Sequence, residues 1–195
     1  MIPDLKVQAP GGADKVLLHT CCAPCSSAIV ECLLRNGITP VIFYSNDNIF
    51  PEEEFDKREN ECVRYARSLG LEVVEDPYDH ERWKSIAKGL ENAPERGPRC
   101  LECFKYRRCR AAEYAGRHGF SVLTTTLASS RWKSLEQINE AGKYACSLTG
   151  NVVWWDQNWR KGGLQERRRE IINEMDFYNQ SYCGCEFSMN NKNGK

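Results

Sequence analysis

Seven of the chain's 11 cysteines stand in three tight groups: Cys21-Cys22-Ala23-Pro24-Cys25, Cys100-Leu101-Glu102-Cys103 and Cys183-Gly184-Cys185. Thiolates bind iron or zinc, and paired thiols exchange two electrons as dithiol and disulfide. Met1 to Asp14 holds no apolar run of the kind that forms a secretory leader, so the reducing cytoplasm is the expected setting and a disulfide scaffold the weaker explanation. The first two groups stand at expected helix starts, where the positive end of the macrodipole favours the thiolate. Cys-x-x-Cys with a second pair also satisfies tetrahedral structural zinc. Two features point instead to iron and sulfur: there are more thiols than one zinc needs, and the first group lies where this kind of fold places its chemistry. Cys32, Cys62 and Cys146 fall inside amphipathic helical patterns and read as core residues, as does Cys109.

The elements that must position these thiols alternate along the chain. Strand patterns are expected at Lys15–His19, Val41–Tyr44, Leu71–Glu75, Phe120–Thr126 and Val152–Trp155. Helical patterns run over Cys22–Arg35, from Pro51 to Leu69, His80–Leu90, Cys100–His118, Leu135–Leu148 and Gln165–Glu174. Strands separated by helices imply right-handed crossovers. The expected fold is a Rossmann-like three-layer α/β sandwich with a mostly parallel sheet of about five strands and its metal site at the carboxyl ends of the strands. Residues 1–189 read as one catalytic domain and residues 190–195 as a disordered tail.

Lys plus Arg and Asp plus Glu number 27 each, which excludes a strongly basic nucleic-acid coat, and no apolar stretch approaches the length of a membrane span. Basic residues nevertheless cluster. Arg99, Lys105, Arg107, Arg108 and Arg110 face the single acid Glu102, and Arg160, Lys161, Arg167, Arg168 and Arg169 face Glu166. Either cluster suits phosphate contacts or a solvated helix face, and Gly162-Gly163 adds flexibility to the second. Trp154, Trp155 and Trp159 follow the last strand. An extruded base could stack on one of them, and Trp159 is the better candidate because the first two point to opposite faces of a strand. His19 ends the first strand beside the thiols, within an apolar run typical of a satisfied core histidine.

Leu18-His19-Thr20-Cys21-Cys22-Ala23-Pro24-Cys25-Ser26, the loop Asn46 to Pro51, Arg99-Cys100-Leu101-Glu102-Cys103-Phe104, Thr124-Thr125-Thr126-Leu127, Lys161-Gly162-Gly163 and Tyr182-Cys183-Gly184-Cys185-Glu186-Phe187-Ser188 together resemble the QueH family of epoxyqueuosine reductases. The resemblance runs through nearly the whole chain in order. It implies a cobalamin-independent oxidoreductase that removes the epoxide oxygen of epoxyqueuosine at the tRNA wobble position, with an external electron donor. It further implies that Cys21, Cys22, Cys100 and Cys103 ligate a 4Fe-4S cluster. Cys183 and Cys185 would be either a redox pair or ligands of an additional mononuclear iron, with Cys25 in reserve for that second iron. Arg107, Arg108, Arg160, Lys161 and Trp159 are the expected tRNA contacts. Two departures stand out: Asp47-Asn48 occupies the place of Pro-Asn, and Tyr178-Asn179-Gln180 that of Tyr-Arg-Gln, which removes an expected cation.

Two other functions compete. A tRNA thiolation enzyme with an iron-sulfur cluster would need a glycine-rich phosphate loop after the first strand, yet His19 to Ser26 contains no glycine. A zinc-stabilised, non-enzymatic RNA-binding module explains thiols and basic residues but not thiols concentrated at a sheet's functional edge.

Overall fold

A computed structural model describes residues 4–190. Its centre is β1 (Lys15–Thr20), whose residues from Val16 onward are all buried, the signature of a strand covered on both faces. β2 (Thr39–Tyr44) pairs with β1 on one side, with Leu18 opposite Ile42, and β3 (Val73–Glu75) pairs with β2. β4 (Val122–Thr125) pairs with β1 on the other side, with Leu18 opposite Thr124, and the two-residue β5 (Val153–Trp154) pairs with β4. The order is β3-β2-β1-β4-β5 and every pairing is parallel, as expected of a doubly wound sheet.

Seven helices are described: α1 (Ala23–Arg35), α2 (Glu52–Ser68), α3 (His80–Ala87), α4 (Pro98–Arg117), α5 (Leu135–Ser147), α6 (Leu164–Glu174) and α7 (Glu186–Asn190). Their starts follow local chemistry. Pro24 and Pro98 fall in first turns, where a missing N–H is harmless; Asp79 accepts from the Arg82 N–H at 3.0 Å, and Ser134 accepts from that of Gln137 at 3.2 Å. In α2 the first turn holds Glu52, Glu53 and Glu54, which suit the positive helix end. α1 packs against α2 and α6, while α4 packs against α5 and α3.

The expected elements all form, with shifted ends: β1 and β2 run longer, to Thr20 and from Thr39, and α4 starts at Pro98, while others are shorter. β3 starts at Val73 rather than Leu71, β4 covers Val122–Thr125 rather than Phe120–Thr126, and α3 stops at Ala87 rather than Leu90. α7 was not expected, and it takes in Asn190, the first residue of the expected tail. The remainder of that tail lies outside the described residues. Cys32, Cys62 and Cys146 are buried in the main core, as their helical spacing implied.

Close packing on the α5 side requires a glycine. A Cβ on Gly142 would stand 2.1 Å from Cδ2 of Trp154, so the indole lies flat on the helix backbone. Its Nε1 donates to Asn139 Oδ1 at 3.2 Å.

Candidate metal and redox centre

The sheet order reverses at β1 and β4, and the crevice beyond their carboxyl ends is where such folds bind ligands. Cys21 follows β1 directly and Cys22 is the N-cap of α1. The two sulfurs lie 3.8 Å apart, and those of Cys21, Cys22 and Cys25 are all within 4.8 Å of one another. Two thiolates on one tetrahedral ion with bonds of about 2.3 Å stand about 3.8 Å apart, so this trio has the spacing of metal ligands. Cys25, held in reserve from the sequence, is thus part of the group. Thr126, just past β4, donates its hydroxyl to Cys21 Sγ at 3.5 Å, and Gln180 Nε2 donates to Cys22 Sγ at 3.0 Å. Hydrogen bonds from Cys22 and Cys25 hold the Cys21 thiol well below its ordinary range, and hydrogen bonds with Cys21 and Cys25 raise Cys22.

Of the remaining four thiols, Cys103, Cys183 and Cys185 share a second buried cluster and Cys100 packs on the main core; among the described residues only Cys21, Cys22 and Cys25 form a trio with sulfurs within 4.8 Å of one another. Cys100 lies in the first turn of α4 and accepts from the Arg96 N–H at 3.3 Å. Cys103 and Cys183 pack with buried Cys185 against Trp83, Ala87 and Tyr106. Burial first, then the neighbouring sulfurs of Cys103 and Cys183, push Cys185 up to about 11. The loop carrying Cys183 and Cys185 is tied back to the sheet. Arg58, ion-paired to Glu54 at 2.6 Å, donates to the carbonyls of Tyr182 and Cys183, and Phe50 N–H donates to the carbonyl of Gly184. Gly184 has φ 98°, and a Cβ there would meet Ile49 at 2.9 Å, so both backbone and space demand glycine.

Arg108 is within electrostatic reach of both groups. It is 1% exposed, and it feels the charges of both Cys21 and Cys103. Its Nη2 is 3.1 Å from His19 Nε2, while Nε and Nη1 have no partner. Burial and the adjacent Arg107 press the guanidinium well below its ordinary range. Arg107, also buried, donates to the Ser45 carbonyl at 3.2 Å and to Asn46 Oδ1. His19 is buried with Nδ1 3.1 Å from Thr125 Oγ1; burial and the two arginines keep it neutral. Two buried guanidiniums without a carboxylate contact are expensive unless an anion accompanies them. A thiolate-bound metal centre is such an anion, so the residues present fit one.

The expected tRNA contacts divide differently. Trp159 is fully buried and meets Trp155 edge-on at 5.4 Å, so it belongs to the core and offers no face to a base. Arg107 and Arg108 are likewise enclosed and cannot reach a phosphate outside the protein. Arg110 pairs with Asp76 at 2.5 Å, and Arg167 pairs with Glu31 at 2.8 Å and with Glu174 at 2.7 Å, which spends much of both basic clusters within the protein. Lys161 is exposed, and half-buried Arg160 donates to the carbonyls of Ser130 and Lys133. Asn179, the expected lost cation, accepts from Arg168 Nη2 at 3.4 Å. Asp47 is buried and accepts from Tyr106 Oη at 2.6 Å, a packing role. Lys133 was not foreseen. It is 9% exposed, and its Nζ donates to Cys183 Sγ at 3.0 Å.

A Rossmann-like sheet that carries thiols where nucleotide-binding sheets of this kind carry a phosphate loop defines an α/β protein with a cysteine cluster able to hold a metal. The family model described as epoxyqueuosine reductase QueH matches residues 16–191, and this chain belongs to that family of oxidoreductases. It is similar to an epoxyqueuosine reductase QueH of Haemophilus influenzae, 45% identical over 188 residues that cover 96% of this chain and 77% of the relative. An Acinetobacter baylyi protein of the same name is 45% identical over 191 residues, covering 98% and 88% of the two chains. A Thermotoga maritima protein, again of that name, is 32% identical over 177 residues, covering 89% and 90%.

Proposed function

We propose that this chain removes the epoxide oxygen of epoxyqueuosine in tRNA to give queuosine, without cobalamin, as one catalytic domain acting in the cytoplasm. Family membership supports the reaction. The single structural observation that carries the reading is Arg108, a buried cation with two unpartnered nitrogens that feels the charges of both Cys21 and Cys103. In this reading Cys21, Cys22, Cys100 and Cys103 hold a 4Fe-4S cluster, and Cys25 lies against the first pair as a further thiolate for an adjacent iron. When bound, such a cluster supplies electrons one at a time.

Converting an epoxide to an alkene and water consumes two electrons and two protons. Closing Cys183 and Cys185 to a disulfide releases two electrons, with one proton coming from Cys185 and the other from the Lys133–Cys183 contact, so this pair balances the reaction, and an external donor restores the dithiol. The Cys183-Gly184-Cys185 loop is fixed by Arg58 and Phe50, which keeps both thiols beside Cys103 rather than in solvent. Lys133 holds a proton beside Cys183. Burial works against its charge, but the sulfur outweighs burial and raises the ammonium above the ordinary lysine range. Once Cys183 becomes part of a disulfide, Lys133 loses its counter-charge and can release that proton toward the departing oxygen.

Anaerobic purification with iron and sulfide analysis, followed by nucleoside analysis of tRNA carrying epoxyqueuosine, tests the reading. About four irons and four sulfides per chain, with conversion to queuosine, is the expected result. A colourless protein with one zinc and no conversion would overturn it. Cys185→Ala should keep the cluster spectrum and lose turnover, whereas Cys21→Ala or Cys103→Ala should lose the spectrum.

A further inference from the structure

With Trp159 in the core, the protein needs another surface to engage an RNA loop. Trp132 is 77% exposed, the most exposed large hydrophobic side chain among the described residues. It sits in the short loop between β4 and α5. Two arginines grip that loop by its backbone: Arg96 donates to the carbonyls of Arg131 at 2.9 Å and Trp132 at 3.0 Å, and Arg160 to those of Ser130 at 2.6 Å and Lys133 at 2.8 Å. Four successive carbonyls are thus held by guanidiniums, which fixes the backbone from which the exposed indole projects.

Carbonyls carry no formal charge, so both arginines keep theirs. Neither has a carboxylate partner among the described ion pairs, and exposed Arg131 adds a third cation. Burial and repulsion from Arg96 and Arg131 lower Arg160 from its ordinary range, as expected where positive charge is concentrated. The acids nearby are Glu95, which acts on Lys133, and Glu136 in the first turn of α5. The same segment reaches the thiols. Lys133 touches Cys183, and the Arg96 N–H touches Cys100.

The geometry points to Trp132 as the stacking platform for an unpaired base of the tRNA anticodon loop, with Arg96, Arg131 and Arg160 receiving the flanking phosphates. A flat aromatic face beside cations is the chemistry that binds single-stranded nucleic acid, and base stacking on it tolerates any base. The inference rests on the proposed tRNA substrate and adds where the loop docks. A base seated there lies at the lip of the thiol centre.

Of the five tryptophans, Trp83, Trp154, Trp155 and Trp159 are buried, so quenching of tryptophan emission by a stacked base reports on Trp132. The probe is an unmodified anticodon stem-loop RNA, compared with a blunt duplex and with whole tRNA. The stem-loop should quench wild-type emission. Trp132→Ala should abolish the quench and weaken binding about ten-fold or more, while Trp132→Phe keeps most of the affinity. Arg131→Ala should retain the quench and flatten the salt dependence by about one phosphate contact. Unchanged iron content and visible spectrum in each variant would confirm that the centre is intact. Full affinity with persistent quenching in Trp132→Ala would overturn the platform while leaving the substrate reading in place. Failure of the wild-type protein to bind either RNA loop or tRNA would overturn both.

Discussion

The ammonium of Lys133 donates to Cys183 Sγ across 3.0 Å from an almost fully buried position. A lysine is rarely enclosed unless its charge is used. Lys133→Met, which keeps the stem and removes the charge, should lower epoxide reduction about a hundred-fold, the usual scale for losing a positioned proton donor. Lys133→Arg should recover part of the rate. Single-turnover assays with iron content measured in parallel decide the matter: full turnover in the Met variant would reduce the contact to packing.

Arg108 makes opposite demands on the protein with and without an anionic centre. A buried cation with two unpartnered nitrogens destabilises the metal-free fold and stabilises a bound anion. Arg108→Met should therefore raise the melting temperature of metal-free protein and make the bound centre harder to reduce. Thermal melts after chelation and a spectroelectrochemical titration measure the two effects. An unchanged potential would remove Arg108 from the centre's electrostatics.

Glu59 gives a pH dependence away from the thiols. Burial, then the charges of Glu75 and Asp56, push its carboxyl up to about 7 from an ordinary 4.5. The folded state thus binds this proton more tightly than the unfolded chain. That contribution is complete below about pH 4.5 and is lost as pH rises through about 7. With allowance for the side chain's partial exposure, it is on the order of 1–2 kcal/mol. Urea melts of wild type should show declining stability over this window, and Glu59→Gln should flatten the decline. Parallel curves for the two proteins would contradict it.

Gly142→Ala tests the close approach of Trp154, since the added methyl would overlap the indole. Overpacking of this kind costs about 1–3 kcal/mol. Trp154→Leu in the same chain should recover part of the loss, giving a favourable coupling in a double-mutant cycle. Simple additivity would mean that the helix shifts away instead.

The sheet was readable because each strand is a short apolar run and each crossover has helical spacing. The thiol groups were readable because residue type and spacing alone mark them. Arg107 and Arg108 were misread as surface cations, although the periodicity held the answer. Phe104, Arg107, Arg108, Ala111, Ala112 and Ala115 recur at helix spacing and form one buried face of α4. Charge suggested solvent, and position won because two arginines lie behind the thiols. Trp159 was misplaced, and Trp132 passed over, for a different reason. Both lie outside regular elements, where no periodicity tells an inward side chain from an outward one. Cys25 joined Cys21 and Cys22 because the first turn of α1 brings its sulfur back toward its N-cap.

The hydrogen bond from Arg58 to the Cys183 carbonyl joins residues 125 positions apart. Closing a loop of that length costs more chain entropy than forming the local contacts of the helices. On the ribosome, Cys21, Cys22 and Cys25 emerge long before Cys183 and Cys185. A nascent chain therefore displays its first thiols while the loop that completes the centre has yet to be synthesised. On the proposed reading, assembly of the whole centre is in this way a check on finished synthesis, and a chain stalled before residue 183 would carry its first thiols without the Cys183–Cys185 pair.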